Sequence, residues 1–284
     1  LKEPVKEPVW NSDHYAHFYL KSFNAAFSDE DTSRETAFIL KALQCRPGER
    51  LLDVCCGHGR HALALARQGY RVIGVDINRH FIELARTAAK GLDGSGSRDN
   101  AGGADGAGGA SNAGGSGSVD GAGSTLFEVG DVAELSYDAE FSAAYFIASL
   151  GWVEDDDETL RILTSIKKTL DPEGRLLLDV TNRERVVSRG AVRNWTEIEG
   201  MVVVRKGDVD LNSSRYIGTE TYIMPDGTRR TFNHSARLYT ATELGTLLCQ
   251  AGFQVIQTYG DYDLEAPYSA SSPRLVLLAD TAGR

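Results

Sequence analysis

The 284-residue chain is 42% hydrophobic, enough to bury a substantial core in one large domain or two small ones. Its formal net charge of −10 and pI near 5.1 oppose attraction to a phosphate backbone, and no basic run with interleaved aromatics offsets them, so nucleic acid is not expected as a partner. No apolar stretch approaches the roughly 20 residues that span a bilayer, and Leu1-Lys2-Glu3-Pro4 lacks the pattern of a signal peptide, so a cytoplasmic protein without a membrane segment is expected.

The opening repeat, residues 2–9, reads as extended chain because of its two prolines. In residues 10–27, His14, Tyr15, Phe18, Tyr19 and Phe23 recur at helical spacing and predict a helix with one aromatic face. Thr32-x-x-Glu35 has the form of a capping box and predicts a helix running to about Gln44. A buried strand over 50–55 then leads into Asp53-Val54-Cys55-Cys56-Gly57-His58-Gly59-Arg60-His61, followed by a helix over 60–69 and a second strand over 71–76 that ends on Asp76. A Cβ at Gly57 or Gly59 would fill space a ligand needs or forbid the turn, and Asp76 stands where a ribose offers two hydroxyls.

Gly57-x-Gly59-x-x-Ala62 alone also fits a loose dinucleotide fingerprint, and Asp53 breaks the tie. A carboxylate at the end of the first strand would repel a pyrophosphate but suits a ligand carrying an ammonium and a sulfonium, which favours S-adenosylmethionine over NAD. The adjacent Cys55 and Cys56 read as small reduced thiols, and His58 and His61 have no companion metal-ligand pattern, so no metal is expected.

Helix 78–90 precedes residues 91–124, where Gly, Ala, Ser, Asp and Asn dominate; that composition buries too little apolar area to order a chain and predicts a flexible insertion. A strand over 125–129 precedes Gly130-Asp131-Val132, a fourth strand covers 141–150, and a helix covers 155–170. The acidic start of that helix complements its dipole, and consecutive carboxylates point apart, so no metal cluster is read there. Asp171-Pro172-Glu173-Gly174 predicts a turn into a fifth strand over 175–180. Residues 195–239 alternate like antiparallel strands around a Pro225-Asp226-Gly227 turn, Thr240-x-x-Glu243 caps a last helix ending at Gly252, and strands over 253–259 and 274–278 finish the chain.

Residues 51–66, 72–78, 127–132 and 140–181 resemble the motifs of class I S-adenosylmethionine-dependent methyltransferases, and Cys56-Gly57-His58-Gly59-Arg60-His61 resembles a bacterial small-molecule branch of them. The likeness continues through Ser235-Ala236-Arg237-Leu238-Tyr239-Thr240 to Ser272-Pro273-Arg274-Leu275. It implies an α/β, doubly wound seven-stranded and mostly parallel sheet of Rossmann-like type with an antiparallel last strand. It covers most of the chain apart from residues 91–124 and the extreme N-terminus, and with the readings above gives one domain over 1–284, an N-terminal lid helix within 1–30 that closes over the cofactor, and an antiparallel β cap at 185–240. For the cofactor it implies Asp53, Cys55, Gly57, Gly59, Arg60, His61, Asp76, Ile77, Asp131, Val132 and Phe146, with Asp131 accepting from the adenine amino group and the following backbone N–H donating to the ring.

Residues 146–152 lack the Asp/Asn-Pro-Pro-aromatic tetrad of nucleic-acid base N-methyltransferases, in keeping with the acidic charge. The acceptor pocket is expected from the N-terminal helix with Tyr15 and Tyr19, residues 149–152, the cap, and the loop 259–268. Arg237 is a candidate for a substrate carboxylate, with pairing to an acidic surface residue as the alternative, and His234 for a general base, although alternation puts Arg237 with Tyr239 on one face and His234 on the other. The expected function is methyl transfer to a small molecule, nitrogen favoured over oxygen, carbon or sulfur. The same motifs also fit an enzyme that uses the aminobutyrate arm and releases methylthioadenosine, or a non-catalytic binding module.

Overall fold

A computed structural model describes residues 13–24, 27–91 and 123–281. The opening repeat and nearly all of the predicted insertion at 91–124 lie outside the described residues. Helix α1 (Asp13–Asn24) is followed by α2 (Asp29–Leu43), β1 (Arg50–Val54), α3 (Arg60–Ala66), β2 (Arg71–Asp76), α4 (Arg79–Lys90), β3 (Ser124–Val129) and β4 (Phe141–Ile147). Then come α5 (Asp156–Thr169), β5 (Leu170–Thr181), α6 (Arg183–Arg189), β6 (Val192–Ile198), β7 (Met201–Asp210), β8 (Arg215–Ile223), β9 (Arg229–Arg237), α7 (Ala241–Gln250), β10 (Gln254–Tyr259) and β11 (Arg274–Asp280).

The main sheet has seven strands in the order β10-β11-β5-β4-β1-β2-β3; β11 runs antiparallel to both neighbours, as expected for the last strand. Its central strands are buried on both faces, which is why they read as continuous apolar runs. Leu51, Tyr145 and Leu177 face one layer with Phe38, Leu65 and Ile82 from α2, α3 and α4. Leu52, Phe146 and Leu178 face the other, with Ile162, Leu163, Leu244 and Leu248 from α5 and α7. The order reverses between β1 and β4, so the carboxyl ends of those strands open a crevice.

A separate antiparallel sheet, β6-β7-β8-β9, forms the cap. Phe18 of α1 packs on it with Met201, Val203 and Tyr222, and Tyr19 meets Phe81 of α4 edge to face, so α1 touches both cap and core. No helix among the described residues is long and apolar enough to cross a membrane.

The structure corrects several sequence readings. The capping box of α2 is Ser28 with Asp31, one turn before the predicted Thr32 and Glu35; both pairs fit the pattern, and the helix begins at the earlier one. The fourth strand ends at Ile147, because Ala148 takes φ 58 and turns the chain. Residues 171–174 are not a turn before the fifth strand but a bulge inside β5: Phe141 pairs with Leu170 and Ala143 already with Arg175. Strand β6 and helix α6, the latter capped by Asn182, were not anticipated individually.

Candidate functional site

The carboxyl ends of β1, β2, β3 and β4 and the segments after them surround a cleft of about 310 Å³. Asp53, Cys55, Cys56, Gly57, His58, Arg60 and His61 come from the end of β1, the glycine turn and the start of α3. Asp76, Ile77 and Phe81 follow β2, Gly130, Asp131 and Val132 follow β3, and Phe146 and the segment to Val153 follow β4. Tyr19 closes one side from α1, and Glu158 and Ile162 contribute from α5. Of the residues expected around a cofactor, Gly59 alone is absent from the wall. Its φ of 81 starts α3, and a Cβ there would lie 2.7 Å from the Phe127 ring, so close packing rather than ligand space requires this glycine. Gly57 has φ 56, and a Cβ there would meet no protein atom within 4 Å, so that position opens into free space.

Asp76 holds the turn and the next helix together: its Oδ2 accepts from Gly57 N at 2.8 Å and its Oδ1 from Asn78 N at 2.9 Å. Burial raises the Asp76 pKa, opposed by these two backbone donors. Asp53 is more exposed to burial's cost. It is 3% exposed, and its Oδ2 and the Tyr145 hydroxyl are both buried without a hydrogen bond of standard geometry. Burial pushes its pKa up to about 8, with Tyr145 working against the shift and the nearby Asp76 charge adding to it. Asp131 caps the short helical turn after β3, its Oδ1 accepting from Ala133 N at 2.9 Å. Burial keeps the Cys55 and Cys56 thiols protonated, and it pushes His58 down to about 4, so that imidazole is neutral.

The acceptor candidates fare differently. Tyr19 lines the cleft, where burial lifts its hydroxyl pKa to about 12; the Tyr15 side chain lies outside the described residues. Arg237 is not brought to the cleft wall. It shares a face with Tyr239 as alternation predicts, but its guanidinium bonds Asp156 and, at 3.0 Å, Glu243, and lies 4.6 Å from the Tyr239 ring centroid. His234 is also off the wall, packed between Trp152, which does line the cleft, and the stacked Tyr216 ring. The residue that sequence reading missed is Glu35: assigned to a cap, it is a buried partner of Arg60 and His61. Among the described residues no three His, Cys, Asp or Glu side chains are grouped to hold a metal ion.

A reversed strand order, a glycine turn after β1 and acids at the ends of β1 and β2 and just after β3 define the class I S-adenosylmethionine-dependent methyltransferases, the class that the sequence resembles. The chain belongs to the family described as "Methyltransferase domain", whose profile matches residues 25–258. In structure it is similar to the CcbJ methyltransferase from Streptomyces caelestis (TM-score 0.69, 18% identity, 91% of this chain and 92% of that one). It is similar also to the S-adenosylmethionine-bound CalS10, an amino pentose methyltransferase from Micromonospora echinaspora (TM-score 0.61, 17% identity, 99% and 100%). In sequence it is 26% identical over 170 residues to an O-methyltransferase of Pyrenophora dematioidea, 59% of this chain and 52% of that protein. The chain spans between 14% and 52% of the length of the first curated relatives it matches.

Proposed function

We propose that this chain, acting in the cytoplasm, transfers the methyl group of S-adenosylmethionine to a small-molecule acceptor, at nitrogen in preference to oxygen, carbon or sulfur. The observation that carries the reading is the set of three carboxylates, Asp53, Asp76 and Asp131, around one cleft beyond the strand ends. The residues fit the cofactor. Asp53 is a buried carboxyl of the cleft lining whose lost hydration a bound cation would offset, and Gly57 leaves the space that a Cβ would fill. The cofactor, when bound, supplies a methyl group activated by its sulfonium.

The chain's own part is to bind and align. Asp53 offers its charge to the ammonium and sulfonium end. Asp76 keeps lone pairs beyond its two backbone bonds for the ribose hydroxyls, and Asp131 with the Val132 N–H addresses adenine. The cleft is also lined by the uncharged Tyr19, Ala148, Ser149 and Trp152 and by the neutral His58. Such a wall suits a neutral nucleophile, and a neutral amine needs no dedicated base, since alignment with an activated leaving group supplies much of the acceleration. A sugar N-methyltransferase among its structural neighbours supports nitrogen, and the net charge of −10 supports a small molecule over nucleic acid. Incubation with methyl-deuterated S-adenosylmethionine and metabolite extract tests this. A trideuteromethyl product with S-adenosylhomocysteine is expected, whereas methylthioadenosine above the enzyme-free control would overturn methyl transfer.

A further inference from the structure

Thr32 and Glu35 lie one turn apart on α2 and both reach α3. Glu35 is 3% exposed, and its Oε2 accepts from Arg60 Nη2 at 2.6 Å and from His61 Nε2 at 2.8 Å. Arg60 Nη1 donates to Thr32 Oγ1 at 3.0 Å, and the guanidinium carbon lies 4.9 Å from the Phe27 ring centroid. Burial works against the Glu35 carboxylate, but the His61 and Arg60 donors outweigh it and hold its pKa below the usual range. The arrangement runs against local preference twice: a cation opens α3, where the helix dipole disfavours it, and a carboxylate is buried to meet it.

What it achieves is placement. Of the described residues that line the cleft, Arg60 is the one Lys or Arg, among the carboxylates Asp53, Asp76, Asp131 and Glu158. It lies near enough to Asp53 for the two charges to interact. Two contacts from one helix face fix the plane of a guanidinium, and a fixed planar fork matches a carboxylate. Asp53 and Arg60 together offer an anion for the ammonium and a cation for the carboxylate of a zwitterion.

Resting on the reading of the cleft as an adenosyl-cofactor site, we propose that Glu35 is a positioning residue. With Thr32 it sets Arg60 to take the carboxylate of the cofactor's amino-acid tail, so the cleft selects cofactors that keep that carboxylate. The test is calorimetric titration of the wild type, Glu35→Gln and Arg60→Gln with S-adenosylhomocysteine and with methylthioadenosine, which lacks the amino-acid tail. Both variants should lose roughly 10- to 100-fold in affinity for S-adenosylhomocysteine, the range of a hydrogen bond to a charged group, and hold their affinity for methylthioadenosine. Equal losses for both ligands would make Glu35 merely structural and overturn the proposal, as would no loss for either. Should Glu35→Gln fail to fold, Arg60→Gln, which keeps a donor for Glu35, decides through the same ratio. A wild type that binds both ligands equally sinks this proposal alone, and one that binds neither sinks the cofactor reading with it.

Discussion

Asp76 at the end of β2 accepts the backbone N–H of Gly57 at 2.8 Å, so one carboxylate both shapes the glycine turn and faces the cleft. Asp76→Ala should therefore weaken S-adenosylhomocysteine binding by about 1–3 kcal/mol, through lost hydroxyl bonds and a loosened turn. Asp76→Asn, which keeps one acceptor oxygen, should recover part of the loss. Calorimetry checks both, and unchanged binding in the alanine variant removes Asp76 from the ribose site.

Asp53 predicts a pH dependence. With its folded pKa pushed up to about 8 from an ordinary 3.8, the free protein holds a proton there that the unfolded chain has released over that window. Stability from this group is thus present at low pH and falls as pH rises from about 4 to 8. Cofactor binding should act in reverse: a cation on Asp53 expels the proton, so affinity for S-adenosylhomocysteine climbs toward pH 8, by up to about tenfold per unit. Asp53→Asn should flatten both profiles, raise the melting temperature of the ligand-free protein near pH 8, and weaken binding. A wild-type binding curve flat from pH 6 to 8 refutes the assignment.

The cleft was legible in the sequence because its parts are local. A glycine turn, an acid at a strand end and a helix start are each written in a few consecutive residues, and the parallel sheet brings them to one edge without further information. Glu35 was not legible, because Thr32-x-x-Glu35 satisfies the same pattern as Ser28-x-x-Asp31, and only the packing of α2 on α3 shows which pair caps. Arg237 was legible only in part for a related reason: alternation gives its face, but its partners Asp156 and Glu243 come from other elements. Strand β6 is an exposed edge with Trp195 66% exposed, so it lacks the buried alternation that announces a strand.

Two glycines of the cleft segments should separate function from stability. Gly57→Ala places a methyl group where no protein atom lies within 4 Å, at φ 56, so it should cost about 1–2 kcal/mol in folding and reduce cofactor affinity further by filling the cleft. Gly151→Ala puts its Cβ 2.5 Å from the Arg237 carbonyl oxygen at φ 112, where the loop after β4 is bonded to the end of β9. It should destabilise by about 3 kcal/mol or more, from strain and clash together. Urea unfolding with and without S-adenosylhomocysteine distinguishes the two.

Deleting residues 95–121 should leave S-adenosylhomocysteine affinity unchanged, because loop closure costs little and their Gly, Ala and Ser composition offers little apolar area to bury. A large loss of binding or turnover in that variant would make the segment part of the site.

Arg237→Gln separates the two roles considered for this arginine. In the structure it joins β9 to α5 and α7, through Asp156 and Glu243, and its Nη1 donates to the Leu238 carbonyl at 2.7 Å. The two acids are 49% and 42% exposed, so solvent screens both pairs and their loss should cost only about 1 kcal/mol. Tyr239 shares Asp156 with it and also bonds Thr159 at 2.8 Å, which leaves the junction partly held after the substitution. The expected outcome is a slightly lower melting temperature with S-adenosylhomocysteine affinity and acceptor KM both unchanged, since the network stands off the cleft wall. A KM raised tenfold or more, with the fold intact, would return Arg237 to the acceptor and require the cap to shift from the position it has here.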